Sequence, residues 1–163
     1  MLKDLDLYDS TLIIVTSDHG EMLGEHGEKT HGYFIYESVV KVPLVMRCPG
    51  GSRGKRIEDP VGLIDVVPTI CSLMGIDVPP DVVGVNLGGY LGWKQRISGP
   101  RHLYCESLTP TKYSANPLRG VVTDRWKYIF TTWPELYDLK KDPQEKHNLA
   151  GIKRSVAQEL DPS

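Results

Sequence analysis

The sequence has little cysteine and no long apolar run. Its three cysteines, Cys48, Cys71 and Cys105, are widely spaced and form no C-x-x-C pair, so neither a zinc knuckle nor a full disulfide framework is predicted. No window approaches the roughly 18 apolar residues of a membrane span, and Met1–Asp6 carries acids where an export signal needs an apolar stretch. We therefore expect no membrane span and a cytoplasmic chain as written, whereas a signal encoded upstream would make it periplasmic or secreted.

The sequence also lacks an excess of charge of either sign. It contains 19 lysines and arginines against 21 aspartates and glutamates, which gives a net charge of -2. Proteins that bind nucleic acid present a basic patch, so no nucleic-acid partner is expected. With 163 residues, of which 40% are hydrophobic and 25% charged, the chain has the composition of a globular protein with a core of its own.

Short apolar segments predict an α/β fold in two parts. The first part, residues 1–98, is expected to hold two strands, and the second part, 99–163, a small antiparallel β-sheet with a closing helix. A stretch rich in proline and glycine, 76–100, indicates the boundary between them. In chain order the pattern predicts a helix end over 1–10, strands over 11–16 and 42–46, a helix over 65–75, strands over 102–107, 119–123, 126–130 and 135–139, and a helix over 152–160.

The first predicted helix after the second strand has a clear sequence signature. Asp65 is placed to cap its start, and Gly75 to end it. Four side chains at helical spacing are expected to form its buried face, and these are Val67, Ile70, Cys71 and Met74.

A pair of metal-ligand residues follows the first predicted strand. Asp18 and His19 come directly after the apolar run that ends at Val15, and Gly20 is expected to let the backbone turn so that both face one cation. A carboxylate oxygen and an imidazole nitrogen are ligands for divalent metals. Each residue also has an ordinary structural use, because Asp caps turns, His is common on surfaces and Gly ends strands.

A longer set of strings resembles one family. The strings are TSDHGEMLGEHG at 16–27, HGYFIYES at 31–38, VPLVMRCPG at 42–50, ELYDL at 135–139, Asp142-Pro143, Glu145 and Asn148-Leu149-Ala150. In this order they resemble the later segments of the type I, formylglycine-dependent sulfatases of the alkaline phosphatase superfamily. The resemblance implies part of an alkaline phosphatase-like α/β sheet domain followed by a small C-terminal antiparallel sheet with a helix.

The resemblance implies roles for four residues. Asp18 and His19 match the family's later metal ligands, for a cation that is Ca²⁺ by preference, with Mg²⁺ or Mn²⁺ as alternatives. His31 stands where many members carry a lysine that contacts the sulfate and the leaving oxygen. We expect His31 to bind substrate and to donate a proton to the departing alkoxide. Lys29, two positions earlier, is the rival for the charge-stabilising role in substrate binding.

The family's nucleophile has no counterpart in this sequence. Formylglycine is made from the cysteine of a C-x-P-x-R or related motif, and the string after Cys48, PGGSR, places proline one step early and arginine one step late. The resemblance therefore implies the C-terminal portion of a sulfatase, with formylglycine in a missing N-terminal half and an isolated chain that is inactive or nearly so.

Three interpretations remain open on this basis. The first is a sulfatase portion acting on a sulfate ester, and the second a phosphonate or phosphodiester hydrolase of the same superfamily. The third is a non-catalytic remnant. The expected partners are the substrate, the missing N-terminal half, or a second copy of the chain, because an incomplete sheet leaves an open edge and exposed apolar area.

Overall fold

A computed structural model of the chain describes residues 1–92, 97 and 99–161. It contains two compact units, one made of Met1–Ser17 with Pro43–Gly99 and one of Asp18–Val42 with Pro100–Ser163. The boundary expected after residue 98 falls at a position outside the described residues. No helix in the described ranges is both long and apolar enough to cross a bilayer.

The described residues form six strands and three α-helices. In chain order these are β1 (Ile13–Thr16), α1 (Glu37–Val40), β2 (Leu44–Arg47), α2 (Val66–Met74), β3 (Leu103–Ser107), β4 (Leu118–Val122), β5 (Trp126–Phe130), β6 (Glu135–Asp138) and α3 (Arg154–Leu160). The strands and the two longer helices all lie within one to three residues of the predicted positions, because their apolar spacing and turn residues are clear. The mixed α/β fold expected from the sequence is confirmed.

The first unit contains β1, β2 and α2. Strand β1 pairs with β2 in antiparallel register, with Ile13 opposite Arg47 and Thr16 opposite Leu44. Residues 1–10 were expected to end a helix, but they hold only a short 3-10 turn at Tyr8–Ser10. The helix prediction fails because Leu5 and Leu7 are exposed and so gain no packing energy from a helical arrangement.

Helix α2 differs from its prediction in both its cap and its buried face. The Asp65 side chain makes no capping hydrogen bond to α2 itself. Its buried carboxylate instead accepts the backbone N–H groups of Gly62 and Val85, both at 2.8 Å, and so holds a loop. Thr69 is buried, whereas Val67 and Met74 of the predicted face are exposed. The end at Gly75 is confirmed, with a left-handed φ of 67°.

The second unit is built on an antiparallel sheet in the order β3-β4-β5-β6. One face carries Tyr128 and Leu136, which pack against Leu160 of α3. The other face carries Ile129 and Tyr137, which pack against the segment that follows β1. The buried members of that segment are Met22, Ile35, Tyr36 and Val39. Both faces of the sheet are thus covered, so β5 and β6 are buried on each side.

A buried ion cluster joins three parts of the second unit. Lys127 of β5 has no exposed side-chain surface, and its Nζ lies 3.0 Å from Glu145 Oε1 and 3.4 Å from Glu37 Oε1. Glu145 Oε2 accepts the backbone N–H of Glu37 at 2.5 Å, at the start of α1. Burial raises the pKa of Glu145, and Lys127 acts in the opposite direction. The cluster therefore links β5, α1 and the turn near Glu145.

Replacing the buried lysine should strongly destabilise the second unit. In Lys127→Met, two carboxylates stay in the interior without their cation, a change that costs about 3–5 kcal/mol when a buried ion pair is broken. Lys140→Met is the matched control, since Lys140 pairs with Asp124 at 3.0 Å on the surface, where such a pair contributes below about 1 kcal/mol. Urea unfolding followed by circular dichroism measures both. Equal decreases in the free energy of unfolding of the two variants would contradict the role assigned to the cluster.

A second ion pair makes stability depend on pH. Arg125 donates Nε and Nη2 to Asp138 Oδ2 at 3.1 and 2.7 Å, and this hydrogen bond lowers the pKa of Asp138. Since the carboxylate is favoured in the folded state, its contribution is present above about pH 4, the unfolded pKa of aspartate. It is lost as pH falls through the folded pKa.

The test compares the free energy of unfolding of the wild type with that of Asp138→Asn at several pH values. The free energy of unfolding of the wild type should exceed that of Asp138→Asn most at pH 7, and this difference should become smaller below pH 4. For Asp124→Asn, which removes an exposed carboxylate, the difference should stay small throughout. A wild-type advantage that grows on acidification would contradict the sign argued for Asp138.

Candidate active site

The candidate residues lie on an anchored loop between β1 and α1. Residues 18–36 contain no regular element beyond a 3-10 turn at Glu25–Gly27. Met22 is fully buried near the start of the loop, and Ile35 and Tyr36 are buried at its end, all three against the four-stranded sheet. Because both ends are packed, the polar side chains between them are held on a fixed support.

Gly20 is required for a reason other than the one expected. Its φ is not among the positive values of the chain, so the residue does not supply a left-handed turn. A Cβ atom at position 20 would instead lie 2.1 Å from the carbonyl oxygen of Ser38. Gly20 N also donates to Val39 O at 2.7 Å. The absence of a side chain lets the backbone after His19 pass against α1.

Asp18 and His19 form an exposed pair of potential ligands. The backbone N–H of His19 donates to Asp18 Oδ1 at 3.0 Å, and His19 Nε2 lies 3.7 Å from Asp18 Oδ2. The side chains are 86% and 43% exposed, respectively. His19 Nδ1 lies 2.9 Å from Gly20 O. Since a carbonyl oxygen only accepts, Nδ1 carries the proton, and Nε2 of the neutral ring holds the lone pair that a metal needs.

His31 lies beside this pair. Its ring centroid is 4.0 Å from that of His19, with the planes tilted by 32°. His31 Nδ1 lies 3.0 Å from Glu21 Oε2, so the ring donates to the carboxylate and is oriented by it. The structure therefore brings together Asp18, His19 and His31, although His31 is twelve positions further along the chain than His19. Glu21, left out of the predicted site, is the residue that orients His31.

Lys29 is not drawn into this arrangement. Its side chain is exposed, and no ion pair joins it to another residue in the part of the chain that the structure describes. Its neighbour Glu28 has a definite function, because Oε1 accepts the backbone N–H of Tyr33 and Oε2 that of Phe34, both at 3.0 Å. Glu28 thereby holds residues 28–34 in a closed turn that contains His31. No sequence pattern singles it out, since a glutamate in a loop is common.

His26 helps to shape the loop. Its φ of 48° is left-handed, its ring stacks on Tyr36 with centroids 3.7 Å apart, and its Nε2 lies 3.1 Å from the carbonyl oxygen of Gln144. These contacts fasten the middle of the loop to the turn that follows β6.

The donor set is compatible with a cation but incomplete. Asp18 Oδ2 and His19 Nε2 lie 3.7 Å apart, and with the proton on Nδ1 the unprotonated nitrogen of the neutral His19 ring is Nε2. Across the described ranges, no group of three or more His, Cys, Asp or Glu side chains is arranged to hold a metal ion. Two ligands bind a divalent ion weakly, so further ligands would have to come from elsewhere.

Sequence comparison places the chain among sulfatases. Residues 24–161 match the family described as N-sulphoglucosamine sulphohydrolase, C-terminal. An uncharacterized sulfatase of Escherichia coli K12, YidJ, is 34% identical over 151 residues, which cover 86% of this chain and 28% of that protein. Delta 4,5-hexuronate-2-O-sulfatase of Bacteroides thetaiotaomicron is 34% identical over 148 residues, covering 86% of this chain and 31% of that protein.

Comparison with solved structures gives the same fold. BT1596, a 2-O GAG sulfatase, superposes with a TM-score of 0.81 at 29% identity, covering 97% of this chain and 36% of the sulfatase. Phosphonate monoester hydrolase of Agrobacterium radiobacter gives a TM-score of 0.82 at 28% identity, covering 97% of this chain and 35% of the hydrolase.

The chain spans about a third of the length of these relatives. The family match, in contrast, extends over most of the chain, from the loop that carries His31 to the end of α3. The resemblance inferred from the sequence strings is confirmed, and the chain belongs to the sulfatases, as a member of the N-sulphoglucosamine sulphohydrolase C-terminal family.

Proposed function

We propose that the chain supplies the later metal-binding segment and the proton donor of an enzyme that hydrolyses sulfate esters. The observation that carries this proposal is the 4.0 Å separation of the His19 and His31 rings. The Nε2 atom of His19 lies beside the Asp18 carboxylate, and the ring of His31 is oriented by Glu21. Metal ligand and acid catalyst would thus act on one sulfate group from neighbouring positions on one loop.

Asp18 and His19 are proposed to hold a divalent cation. The carboxylate favours Ca²⁺, with Mg²⁺ or Mn²⁺ as alternatives that an imidazole ligand also suits. The cation would polarise the sulfate oxygens. His19 contributes its Nε2 because its Nδ1 proton is engaged by the Gly20 carbonyl, and Asp18 is held by the backbone N–H of His19.

His31 is proposed as the general acid. Its Nδ1–H is engaged by Glu21, so the proton that can reach substrate is carried by Nε2 when the ring is protonated. His31 would give the Nε2 proton to the alcohol oxygen as its bond to sulfur breaks. The ring would then recover a proton from water that enters the site.

Lys29 is the second candidate for contact with the sulfate. Its ammonium group stands on the same loop, and its long exposed stem would let it approach an anionic substrate. A charge-stabilising role for Lys29 and an acid role for His31 are compatible, because a lysine ammonium at neutral pH attracts an anion without giving up its proton.

The nucleophile is proposed to come from another polypeptide segment. The 163 residues contain no cysteine in a C-x-P-x-R or C-x-A-x-R context, so formylglycine and the remaining metal ligands would be supplied in an assembled enzyme. The names of two relatives suggest the substrate class. One is a hexuronate-2-O-sulfatase, and one solved relative is in complex with D-glucosamine-2-N,6-O-disulfate. We therefore propose a sulfated carbohydrate.

Phosphonate hydrolysis is the alternative that a specific finding favours. Phosphonate monoester hydrolases from Agrobacterium radiobacter and Silicibacter pomeroyi superpose about as well as the sulfatases do, with TM-scores of 0.82 and 0.77. Phosphoryl and sulfuryl groups both develop charge on peripheral oxygens that a cation can stabilise. The ratio of aryl sulfate to phenylphosphonate ester turnover in an assembled enzyme distinguishes the two activities.

The cation proposal can be tested on the chain alone. Mn²⁺ added to ¹⁵N-labelled protein should first broaden the amide signals of residues 18–20 and of His31. Asp18→Asn should raise the Mn²⁺ concentration for half-broadening by about tenfold, since one of the two ligands is lost. Asp124→Asn is the control, because this exposed aspartate lies in a separate ion pair. Equal behaviour of the two variants would contradict the assignment of Asp18.

The acid role of His31 predicts a dependence on the leaving group. A chimera in which this chain replaces the matched stretch of the Bacteroides hexuronate sulfatase supplies the missing nucleophile. His31→Ala should lower kcat for a carbohydrate sulfate by about 10²–10⁴-fold, because an alkoxide needs a proton to depart. For 4-nitrophenyl sulfate, whose leaving group is stable as an anion, the loss should be much smaller.

Two further variants sharpen this test. Glu21→Gln should reproduce part of the His31→Ala loss on the carbohydrate substrate, since the ring loses the carboxylate that orients it. His102→Ala, which removes an exposed histidine outside the loop, should change neither rate. A His31→Ala defect of the same size on both substrates would contradict proton donation and favour simple sulfate binding.

A further inference from the structure

A hollow of about 400 Å³ lies in the second unit, beside the loop that carries His31. Its wall includes Tyr33, two residues after His31, so the Cα atom of this wall residue lies within about 7 Å of the His31 Cα atom. We call it the aromatic hollow and define it by the side chains of Tyr33, Asn116, Leu118, Thr132, Trp133 and Glu135. None of these residues takes part in the chemistry proposed above.

Exposed aromatic rings are the most unusual feature of the aromatic hollow. Trp133 of its wall is 83% exposed, and Tyr113, a neighbour outside the wall whose ring centroid lies 6.1 Å from that of Tyr33, is 72% exposed. A large ring left in water contributes little to folding, because the burial of its apolar surface is what stabilises a fold. Rings displayed beside a concavity are instead suited to cover the apolar face of a flat ligand.

Neutral hydrogen-bonding groups stand among these rings. Asn116 Nδ2 donates to Thr132 Oγ1 at 2.8 Å, so the two side chains orient each other at the rim. Asn116 retains its acceptor oxygen and a second N–H, and the Thr132 hydroxyl retains its hydrogen as a donor. Apolar plates combined with amide and hydroxyl groups match a pyranose ring, which has C–H faces and hydroxyl edges.

The charge of the wall restricts which pyranose fits. No lysine, arginine or histidine lines the hollow among the described residues, and Glu135 is its one charged side chain there. Glu135 Oε2 accepts the hydroxyl groups of Tyr36 and Tyr137 at 2.9 and 2.6 Å, which holds the carboxylate in place. A sulfated or uronate ring would be desolvated beside this carboxylate without a cation to compensate.

We propose that the aromatic hollow binds an uncharged pyranose unit that adjoins the sulfated unit of the substrate. This subsite rests on the proposed sulfatase function and narrows its substrate to a carbohydrate in which a neutral sugar neighbours the sulfate ester. Trp133 and Tyr33 cover the faces of the ring, and Asn116 and Thr132 bind its hydroxyl or acetamido groups. Glu135 excludes a second anionic unit.

Binding to the chain itself tests the subsite. The probe is the trimer of N-acetylglucosamine, titrated into ¹⁵N-labelled protein while the indole N–H of Trp133 and the amide of Asn116 are followed. Saturable shifts at both positions are expected. Trp133→Ala should weaken binding roughly threefold to tenfold, the amount that one aromatic contact contributes. Tyr104→Ala is the matched control, since Tyr104 is an exposed aromatic of β3 outside the hollow.

A second ligand tests the charge selection. A tetrasaccharide of alternating glucuronate and N-acetylglucosamine should bind at least threefold more weakly than the neutral trimer at low salt, and Glu135→Gln should narrow that gap. Tyr33→Ala serves as a second aromatic variant if Trp133→Ala fails to fold, since Tyr33 also lines the hollow. The proposal is overturned if the neutral trimer gives no saturable shift, if Tyr104→Ala weakens binding as much as Trp133→Ala, or if the anionic sugar binds equally well.

The outcomes are separable from those that test the proposed function. Sugar binding is measured without a cation and without turnover. A failure to bind sugar would therefore contradict the proposed subsite without affecting the interpretation of the Mn²⁺ and leaving-group experiments. Conversely, a chimera that cleaves phenylphosphonate esters instead of sulfates would remove the sulfatase assignment even if the aromatic hollow binds the trimer.

Discussion

The second unit depends on the neutralisation of Lys127 in its interior. A buried ammonium group is tolerated only beside anions, and the two that meet it come from parts of the chain far apart in sequence, Glu37 and Glu145. This requirement draws the start of α1 and the turn beyond β6 towards the middle of β5. The loop that bears the candidate active site ends at Glu37, so its far end is fixed by the same charge.

The candidate site depends on that support because its own contacts are few. Asp18 and His19 are exposed, and the ring of His31 is held by one carboxylate and one neighbouring imidazole. An exposed pair cannot fix its own geometry against solvent, so precision comes from the buried residues at both ends of the loop. Gly20 adds to this by letting the backbone after His19 pass close to α1.

Most of the strands and helices could be predicted from the sequence, for identifiable reasons. Alternation in Trp126, Tyr128 and Phe130 marks a strand because every second side chain faces the helix-covered side. The same alternation places Lys127 on the opposite face of the strand. A local pattern predicts that this face is exposed to solvent, although the loop of the candidate site covers it. The helix expected over residues 1–10 was wrong for a related reason, since spaced leucines indicate an apolar stripe but not a partner for it.

The arrangement of the candidate site could be predicted from the sequence only in part. Asp18 and His19 are adjacent and carry a recognisable motif, whereas the partnership of Glu21 with His31 crosses ten residues of irregular backbone that no periodicity describes. Glu28 illustrates what such irregular backbone imposes. Because one carboxylate receives the N–H groups of both Tyr33 and Phe34, the number of residues between them and Glu28 sets where His31 stands. Related chains should therefore keep the spacing from Glu28 to Tyr33 without insertion or deletion.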